Sequence, residues 1–127
     1  MNIVLDGQSL TIDQVYKVAY AKVGEVTVSI APSALEKMKA SRAFVFEIVK
    51  KGKPVYGINT GFGALSSMHI QEKDLAQLQV NLIRSHCTGV GQPFSREVTR
   101  AIMLLRANCL TSGFSGVEPS TVELLTD

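Results

Sequence analysis

Apolar residues recur three or four positions apart over much of this chain, a spacing that predicts helices. Between residues 32 and 51, Leu35, Met38 and Val49 fall on one face, and lysines fill much of the other. The pattern predicts an amphipathic helix whose solvated face accounts for the basic residues. Gly52 follows closely and predicts the end of this helix.

Two later stretches are apolar on more than one side. Residues 72–87 carry two apolar stripes, and residues 101–105 are apolar throughout. Ser95 is placed to cap the second helix and Gly113 to end it. A soluble chain places an all-round apolar helix at the centre of a bundle or of an oligomer. We therefore expect the first helix to be mostly buried and the second to be central.

Shorter elements occupy the first thirty residues. The apolar run 3–5 and the alternating run 26–30 predict two short strands. Between them, Thr11 and Gln14 form a capping-box pattern, which predicts a helix to about residue 22. The whole pattern indicates a mainly α fold with one or two short strands.

The stretch 55–63, with the sequence VYGINTGFG, interrupts the helical pattern. Its three glycines oppose both a long helix and a long strand. We expect positive φ to be available at each glycine, with Asn59 as a further candidate. The glycine spacing matches neither the dinucleotide fingerprint nor the phosphate loop. We interpret the stretch as a mobile functional loop with the Tyr56 phenol at its entrance, and a plain surface turn is the alternative.

Composition narrows the classes of function. The chain has 127 residues, 46% hydrophobic and 19% charged, a balance typical of one globular domain. The net charge of +2 is spread along the chain, and aromatic residues are few, so we predict no nucleic-acid binding. The sequence has neither a signal-peptide pattern nor a membrane-spanning apolar run, so no membrane partner is expected.

Cys87 and Cys109 are the only cysteines and do not form a C-x-x-C pair. Two reduced thiols fit a cytoplasmic protein. A zinc site that combined them with His69 and His86 would match no usual ligand spacing. We therefore predict no metal.

Several blocks of sequence, in order, carry a resemblance to a known family. They are LDGQSLT at 5–11, the loop 55–63, LQVNLIRSHCTGVG at 78–91, LLRAN at 104–108 and GFSGV at 113–117. From about residue 3 to about residue 117 the chain resembles the aromatic amino acid lyases, and among them the histidine ammonia-lyases. The resemblance implies that residues 1–127 form one domain, the helical N-terminal part of the aromatic ammonia-lyase fold, with a glycine-rich active-site loop.

The resemblance also implies roles for individual residues. Tyr56 matches the family's loop tyrosine, the base that removes the β-proton of the amino acid. A half-buried structural tyrosine is the plain alternative. His86 matches the histidine that contacts the substrate side chain, although a helical histidine is more often structural. A buried imidazole or phenol needs a polar partner, so His86 points to histidine first and tyrosine second as substrate. Asn59, Thr60 and Gly61 are expected near the substrate.

One part of the family's chemistry has no source in this sequence. The resemblance implies an electrophilic methylidene-imidazolone group (MIO), which forms from an internal Ala-Ser-Gly. That tripeptide is absent, and the nearest string, Phe114-Ser115-Gly116, matches a different block. We expect the Ala-Ser-Gly beyond residue 127, and we expect the isolated chain to have no lyase activity.

Two hypotheses of function remain open. The chain is either the N-terminal portion of a histidine ammonia-lyase, with tyrosine ammonia-lyase or aminomutase as close alternatives, or a non-catalytic truncated or split helical subunit. The resemblance implies a homotetramer for the complete enzyme, with active sites built from several subunits. A last helix that begins at Pro119 has made only about two turns at Asp127, which indicates further chain or a partner.

Overall fold

The computed structural model describes all 127 residues. It contains five α-helices, a two-stranded sheet and one 3₁₀ turn, so the predicted mainly helical fold is confirmed. In chain order the elements are β1 (Asn2–Leu5), α1 (Ile12–Tyr20), β2 (Thr27–Ile30), α2 (Pro32–Lys51), the 3₁₀ turn Gly63–Leu65, α3 (Glu72–His86), α4 (Arg96–Thr111) and α5 (Pro119–Thr126).

The chain divides into two compact units. One, called the core unit below, comprises residues 1–43 and 93–127. The other, called the loop unit, comprises residues 44–92. The organisation of the chain as a single domain stays a prediction.

The core unit is built on the sheet and on α1, α4 and α5. β1 and β2 are parallel, with Asn2 opposite Thr27 and Leu5 opposite Ile30. Alternate side chains of a strand point to opposite faces, so Ile3 and Leu5 are both buried on one face. The residues that complete the apolar core are Val18, Met38, Leu104, Ala107 and Val122. Full burial of a large apolar side chain stabilises a fold by about 1.5–3 kcal/mol.

Local capping explains where two helices begin. Thr11 Oγ1 accepts a hydrogen bond from the backbone N–H of Gln14, and Gln14 Oε1 accepts one from the N–H of Thr11. The predicted capping box of α1 is therefore confirmed. Ser95 caps α4 in the same way, with Oγ accepting from the N–H of Val98.

The end of α1 is where the prediction was wrong by two residues. The helix stops at Tyr20 because Ala21 is extended. The carbonyl of Ala21 accepts a hydrogen bond from the guanidinium of Arg100 at 2.7 Å. A contact from α4, distant in the sequence, thus fixes this boundary.

Burial of the helices differs from the prediction. α3 has no buried residue, although its two apolar stripes had indicated a mostly buried helix. Leu78 and Leu82 are half-buried, whereas Ile83 is 66% exposed. A helix that is apolar on two sides needs neighbours on both, and these 127 residues leave one side of α3 open to solvent. α4 is central on one side only, since Leu104 is buried and Leu105 is exposed.

Candidate functional site

The Tyr56 loop begins where α2 ends at a left-handed Gly52. The N–H of Ile58 and the N–H of Asn59 both donate to the carbonyl of Val55, at 3.1 and 3.3 Å. Gly57 supplies the positive φ of 82° that this tight turn requires. The sequence therefore folds residues 55–59 into a turn that places Tyr56 at its tip.

The side chain of Tyr56 is open to a ligand. It is 65% exposed. Its ring meets the ring of Phe62 edge to face, with centroids 6.2 Å apart and planes at 70°. Aromatic pairs prefer this arrangement, which steadies the ring without engaging the hydroxyl. The phenol is thus accessible to a small molecule.

Asn59 is the most completely enclosed polar side chain of the loop, at 1% exposure. Its Oδ1 accepts a hydrogen bond from the N–H of Val55 at 2.8 Å. Its Nδ2 donates to the carbonyl of Lys53 at 3.0 Å. Both ends of the carboxamide are therefore bonded to the backbone that leads into Tyr56.

The loop is closed by pairing of its two sides. Thr60 forms an antiparallel bridge with His69. The N–H of Gly61 donates to the carbonyl of Met68 at 3.1 Å, and the N–H of Ile70 donates to the carbonyl of Asn59 at 2.9 Å. Thr60 itself is buried, whereas His69 is exposed. The stretch is more ordered in its hydrogen bonding than a plain surface turn, and its predicted mobility stays a prediction.

Gly61 is needed for space rather than for an unusual φ. A Cβ atom at this position would lie 2.6 Å from Leu65 Cβ and 2.7 Å from the Leu65 carbonyl oxygen. Positive φ occurs at Gly57 and Gly63, but neither at Gly61 nor at Asn59, so the expectation for these two was wrong. Both residues hydrogen-bond to the 68–70 segment, and a backbone held by this pairing takes no positive φ at either position.

His86 is the last residue of α3, and its side chain is exposed. Its Nδ1 lies 2.9 Å from the carbonyl oxygen of Leu82 and 2.9 Å from Ser85 Oγ. Ser85 Oγ donates to the same carbonyl at 2.8 Å. A carbonyl oxygen can only accept a hydrogen bond. With a proton on Nδ1, the ring donates to the Leu82 carbonyl and to Ser85 Oγ, while the Ser85 hydroxyl donates to the same carbonyl. This assignment of the proton leaves Nε2 as an acceptor.

The predicted site residues all belong to the loop unit. Tyr56, Asn59, Thr60 and Gly61 lie on the closed loop, and His86 lies at the end of α3. Sequence reasoning missed Ser85, whose hydroxyl contacts His86. The available signal was a serine in the last helical turn, where backbone carbonyls lack intrahelical partners.

Other candidate chemistry is sparse. No group of three His, Cys, Asp or Glu side chains is arranged to hold a metal ion. Cys87 and Cys109 are free thiols at the surface. None of the five helices combines the length and the apolar character that a membrane span requires.

Comparison with known proteins places this geometry in a family. A sequence model of the aromatic amino acid lyases matches residues 10–127. The histidine ammonia-lyase of Caldanaerobacter subterraneus subsp. tengcongensis is 52% identical over 125 residues, which cover 98% of this chain and 24% of that protein.

Solved structures agree with the sequence match. The histidine ammonia-lyase of Trypanosoma cruzi superposes with a TM-score of 0.88 at 40% identity, covering 99% of this chain and 24% of that one. The tyrosine aminomutase of Streptomyces globisporus superposes with a TM-score of 0.90 at 34% identity, covering 99% and 23%. The chain spans about a quarter of the length of the curated relatives it matches. Since the family match includes the Tyr56 loop, α3 and all of α4, the chain belongs to the aromatic amino acid lyase family.

Proposed function

We propose that this chain is a portion of a histidine ammonia-lyase, an enzyme that converts L-histidine to urocanate and ammonia. The observation that carries the proposal is the exposed Tyr56 phenol on a closed loop, in a chain 52% identical to a histidine ammonia-lyase. Tyr56 is the general base in this proposal, and His86 contacts the side chain of the substrate.

In this step Tyr56, as its phenolate, removes a proton from Cβ of the substrate and becomes the neutral phenol. The electron pair of the broken Cβ–H bond forms the Cα–Cβ double bond. The Cα–N bond breaks, and the protonated amino group leaves as ammonia with that bond's electron pair. A general base must come within hydrogen-bonding reach of the proton that it takes. The 65% exposure of Tyr56 leaves room for a substrate next to the phenol.

His86 offers Nε2 as a hydrogen-bond acceptor in this proposal. The ring N–H of a substrate imidazole is a matching donor. A phenol O–H is also a donor, so tyrosine ammonia-lyase or tyrosine aminomutase is the second candidate, favoured by the likeness to a tyrosine aminomutase structure. Histidine is preferred as substrate because the curated relatives with the higher identity are histidine ammonia-lyases.

Asn59 and Gly61 enter the proposal less directly. Their predicted contact with the substrate stays a prediction, and both are buried in the loop. Gly61 allows the loop to approach Leu65, and Asn59 bonds to the backbone before Tyr56. Both residues therefore support the shape from which Tyr56 projects.

The complete reaction needs an electrophile that these residues do not supply. In the complete enzyme, MIO would supply an electrophile for electron density from the substrate. Its precursor Ala-Ser-Gly is absent from the sequence. In the nearest string, the Gly116 N–H donates to Ser41 Oγ at 3.0 Å, and its carbonyl accepts from Arg42 at 3.2 Å. These hydrogen bonds hold residues 114–116 against α2, and this segment does not fit MIO.

The wider proposal concerns the complete enzyme and is supported by the likeness to the family. The complete enzyme carries MIO on residues outside this sequence, acts as a homotetramer and resides in the cytoplasm. The isolated 127 residues form one domain and have no lyase activity. A non-catalytic truncated or split subunit is the alternative, and a gene that encodes no Ala-Ser-Gly in frame or in a neighbouring frame would favour it.

A substitution in the full-length protein tests the proposal. Tyr56→Phe removes only the hydroxyl, and general acid–base groups contribute about 10²–10⁴-fold to rate. We expect urocanate formation from L-histidine to fall by that order, with the fold unchanged by circular dichroism. Tyr20→Phe removes a hydroxyl from an exposed tyrosine of α1 and is the matched control. Turnover near that of the unaltered enzyme in Tyr56→Phe would exclude Tyr56 as the base.

A further inference from the structure

Asn59 holds the backbone on both sides of Tyr56. Its carboxamide bonds to Val55 and Lys53, which precede Tyr56. Its backbone carbonyl accepts from the N–H of Ile70, on the opposite side of the closed loop. One residue therefore joins the entry of the turn to the paired segment that closes the loop.

The loop unit has no apolar core that could hold Tyr56 in place. The buried residues of this unit are Asn59, Thr60 and Gly61, and none carries a large apolar side chain. Apart from the edge-to-face contact with Phe62, the position of the phenol therefore depends on the hydrogen bonds of the turn. The Thr60 hydroxyl donates to the Gly61 carbonyl and does not reach the turn. Asn59 alone supplies side-chain bonds to the residues next to Tyr56.

We infer that Asn59 is a positioning residue that sets the approach of the Tyr56 phenol to the substrate. The inference rests on the proposed role of Tyr56 as the base. A displacement of about 1 Å in a reacting group can cost about 100-fold in rate, so bonds that fix the turn have a catalytic effect without touching the substrate. The carboxamide acts as a clamp, and its Oδ1 and Nδ2 are both required.

Two other roles for Asn59 make different predictions. If the side chain only fills space, an apolar residue of similar size replaces it without loss. If it binds the substrate directly, its replacement raises KM and leaves the backbone of the turn unchanged. The clamp predicts a loosened turn and a loss of kcat in the same variant.

Two variants of the full-length protein separate these roles. Asn59→Leu keeps the approximate volume and removes both bonds. Asn59→Asp keeps the shape but replaces the donor, so an oxygen faces the Lys53 carbonyl oxygen across the 3.0 Å contact. Gln71→Ala is the matched control, because this exposed carboxamide precedes α3 and makes no capping hydrogen bond.

The measurement combines hydrogen exchange with steady-state kinetics. We expect the Val55 amide to exchange at least about tenfold faster in both Asn59 variants, since its acceptor is lost or displaced. We expect kcat to fall roughly 10–100-fold, with KM changed less than about threefold. Unchanged exchange in α4 shows that each variant is folded. Gln71→Ala should match the unaltered protein in both readouts.

Each contrary result has its own meaning. Unchanged exchange at Val55 in both variants overturns the clamp, and so does a change in KM alone. Normal kcat in a variant with fast exchange overturns the catalytic part of the inference. Failure of the unaltered protein to act on histidine, tyrosine or phenylalanine overturns the proposed function, and the catalytic part of this inference falls with it.

Discussion

Different forces stabilise the core unit and the loop unit, each within itself. The core unit buries Ile3, Leu5, Leu104 and Val122 among other apolar side chains. The loop unit buries no large apolar side chain and closes its loop by backbone pairing and the Asn59 carboxamide. Apolar burial is non-directional, whereas hydrogen bonds fix geometry.

This difference fits the tasks that we propose for the two units. A scaffold needs stability, which apolar burial supplies at about 25 cal/mol per Å². A site needs side chains at defined positions, which directional bonds supply even where little surface is buried. Net hydrogen bonds contribute only about 0.5–1.5 kcal/mol each, so the loop unit combines precise geometry with low stability. Four predictions follow, from the largest expected effect to the smallest.

Removal of a core side chain should cost the most. Leu104→Ala deletes a buried side chain, and such changes lower the free energy of unfolding by about 2–5 kcal/mol. Leu78→Ala, the matched change in the loop unit, removes a half-buried leucine and should cost much less. Urea unfolding of the two variants measures both values. Equal losses would show that the two units do not differ in this way.

Addition of one methyl group should disturb the loop unit. Gly61→Ala places a Cβ against Leu65, and overpacking typically costs about 1–3 kcal/mol. We expect faster hydrogen exchange at residues 59–61 and reduced turnover in the full-length protein. Gly89→Ala is the control, because its added Cβ would meet no atom within 4 Å beyond those of Gly89 and its two chain neighbours. If Gly61→Ala behaves like Gly89→Ala, then the close approach to Leu65 is not required.

Acid should weaken a turn of the core unit. The N–H groups of Ser9 and Gln8 donate to Asp6 Oδ1, and these bonds lower the pKa of Asp6 from 3.8 to about 2. A lowered folded-state pKa stabilises the fold above the unfolded value, and this stability is lost as pH falls through the folded value. Asp6→Asn should therefore be less stable than the unaltered protein at pH 6.

The difference in stability between Asp6→Asn and the unaltered protein should shrink as the pH falls from about 4 to about 2, because the Asp6 carboxylate of the folded protein is then protonated. Thermal unfolding at a series of pH values measures it. Asp13→Asn is the control, because that exposed carboxylate pairs only with Lys17. A difference in stability that is constant with pH would contradict the assigned bonds to Asp6.

The smallest effect concerns His86. Ser85→Ala removes a hydroxyl 2.9 Å from Nδ1 and leaves the Leu82 carbonyl as its remaining partner. We expect little change in stability, because the site is exposed, and a smaller population of the Nδ1-protonated tautomer. Nitrogen-15 chemical shifts of the His86 ring report that population. An unchanged tautomer ratio would show that the Leu82 carbonyl alone sets the tautomer of the His86 ring.

The sequence by itself determined the order and bounds of most elements. The cap residues Thr11 and Ser95 and the stop at Gly52 act on their immediate neighbours, so their effects were readable without a structure. The motif blocks likewise identified Tyr56 and His86 as candidates, since a resemblance depends only on residue order.

Only the tertiary structure decided burial and bonding between distant residues. The exposure of α3 depends on which neighbours cover it, and the end of α1 depends on Arg100, which lies on α4. The N–H of Gly61 is bonded to the carbonyl of Met68, which lies seven residues further along the chain. The bonds of Asn59 depend on how the turn closes around Tyr56. Periodicity and propensity describe local preferences, whereas these features arise from contacts that form only when the chain folds.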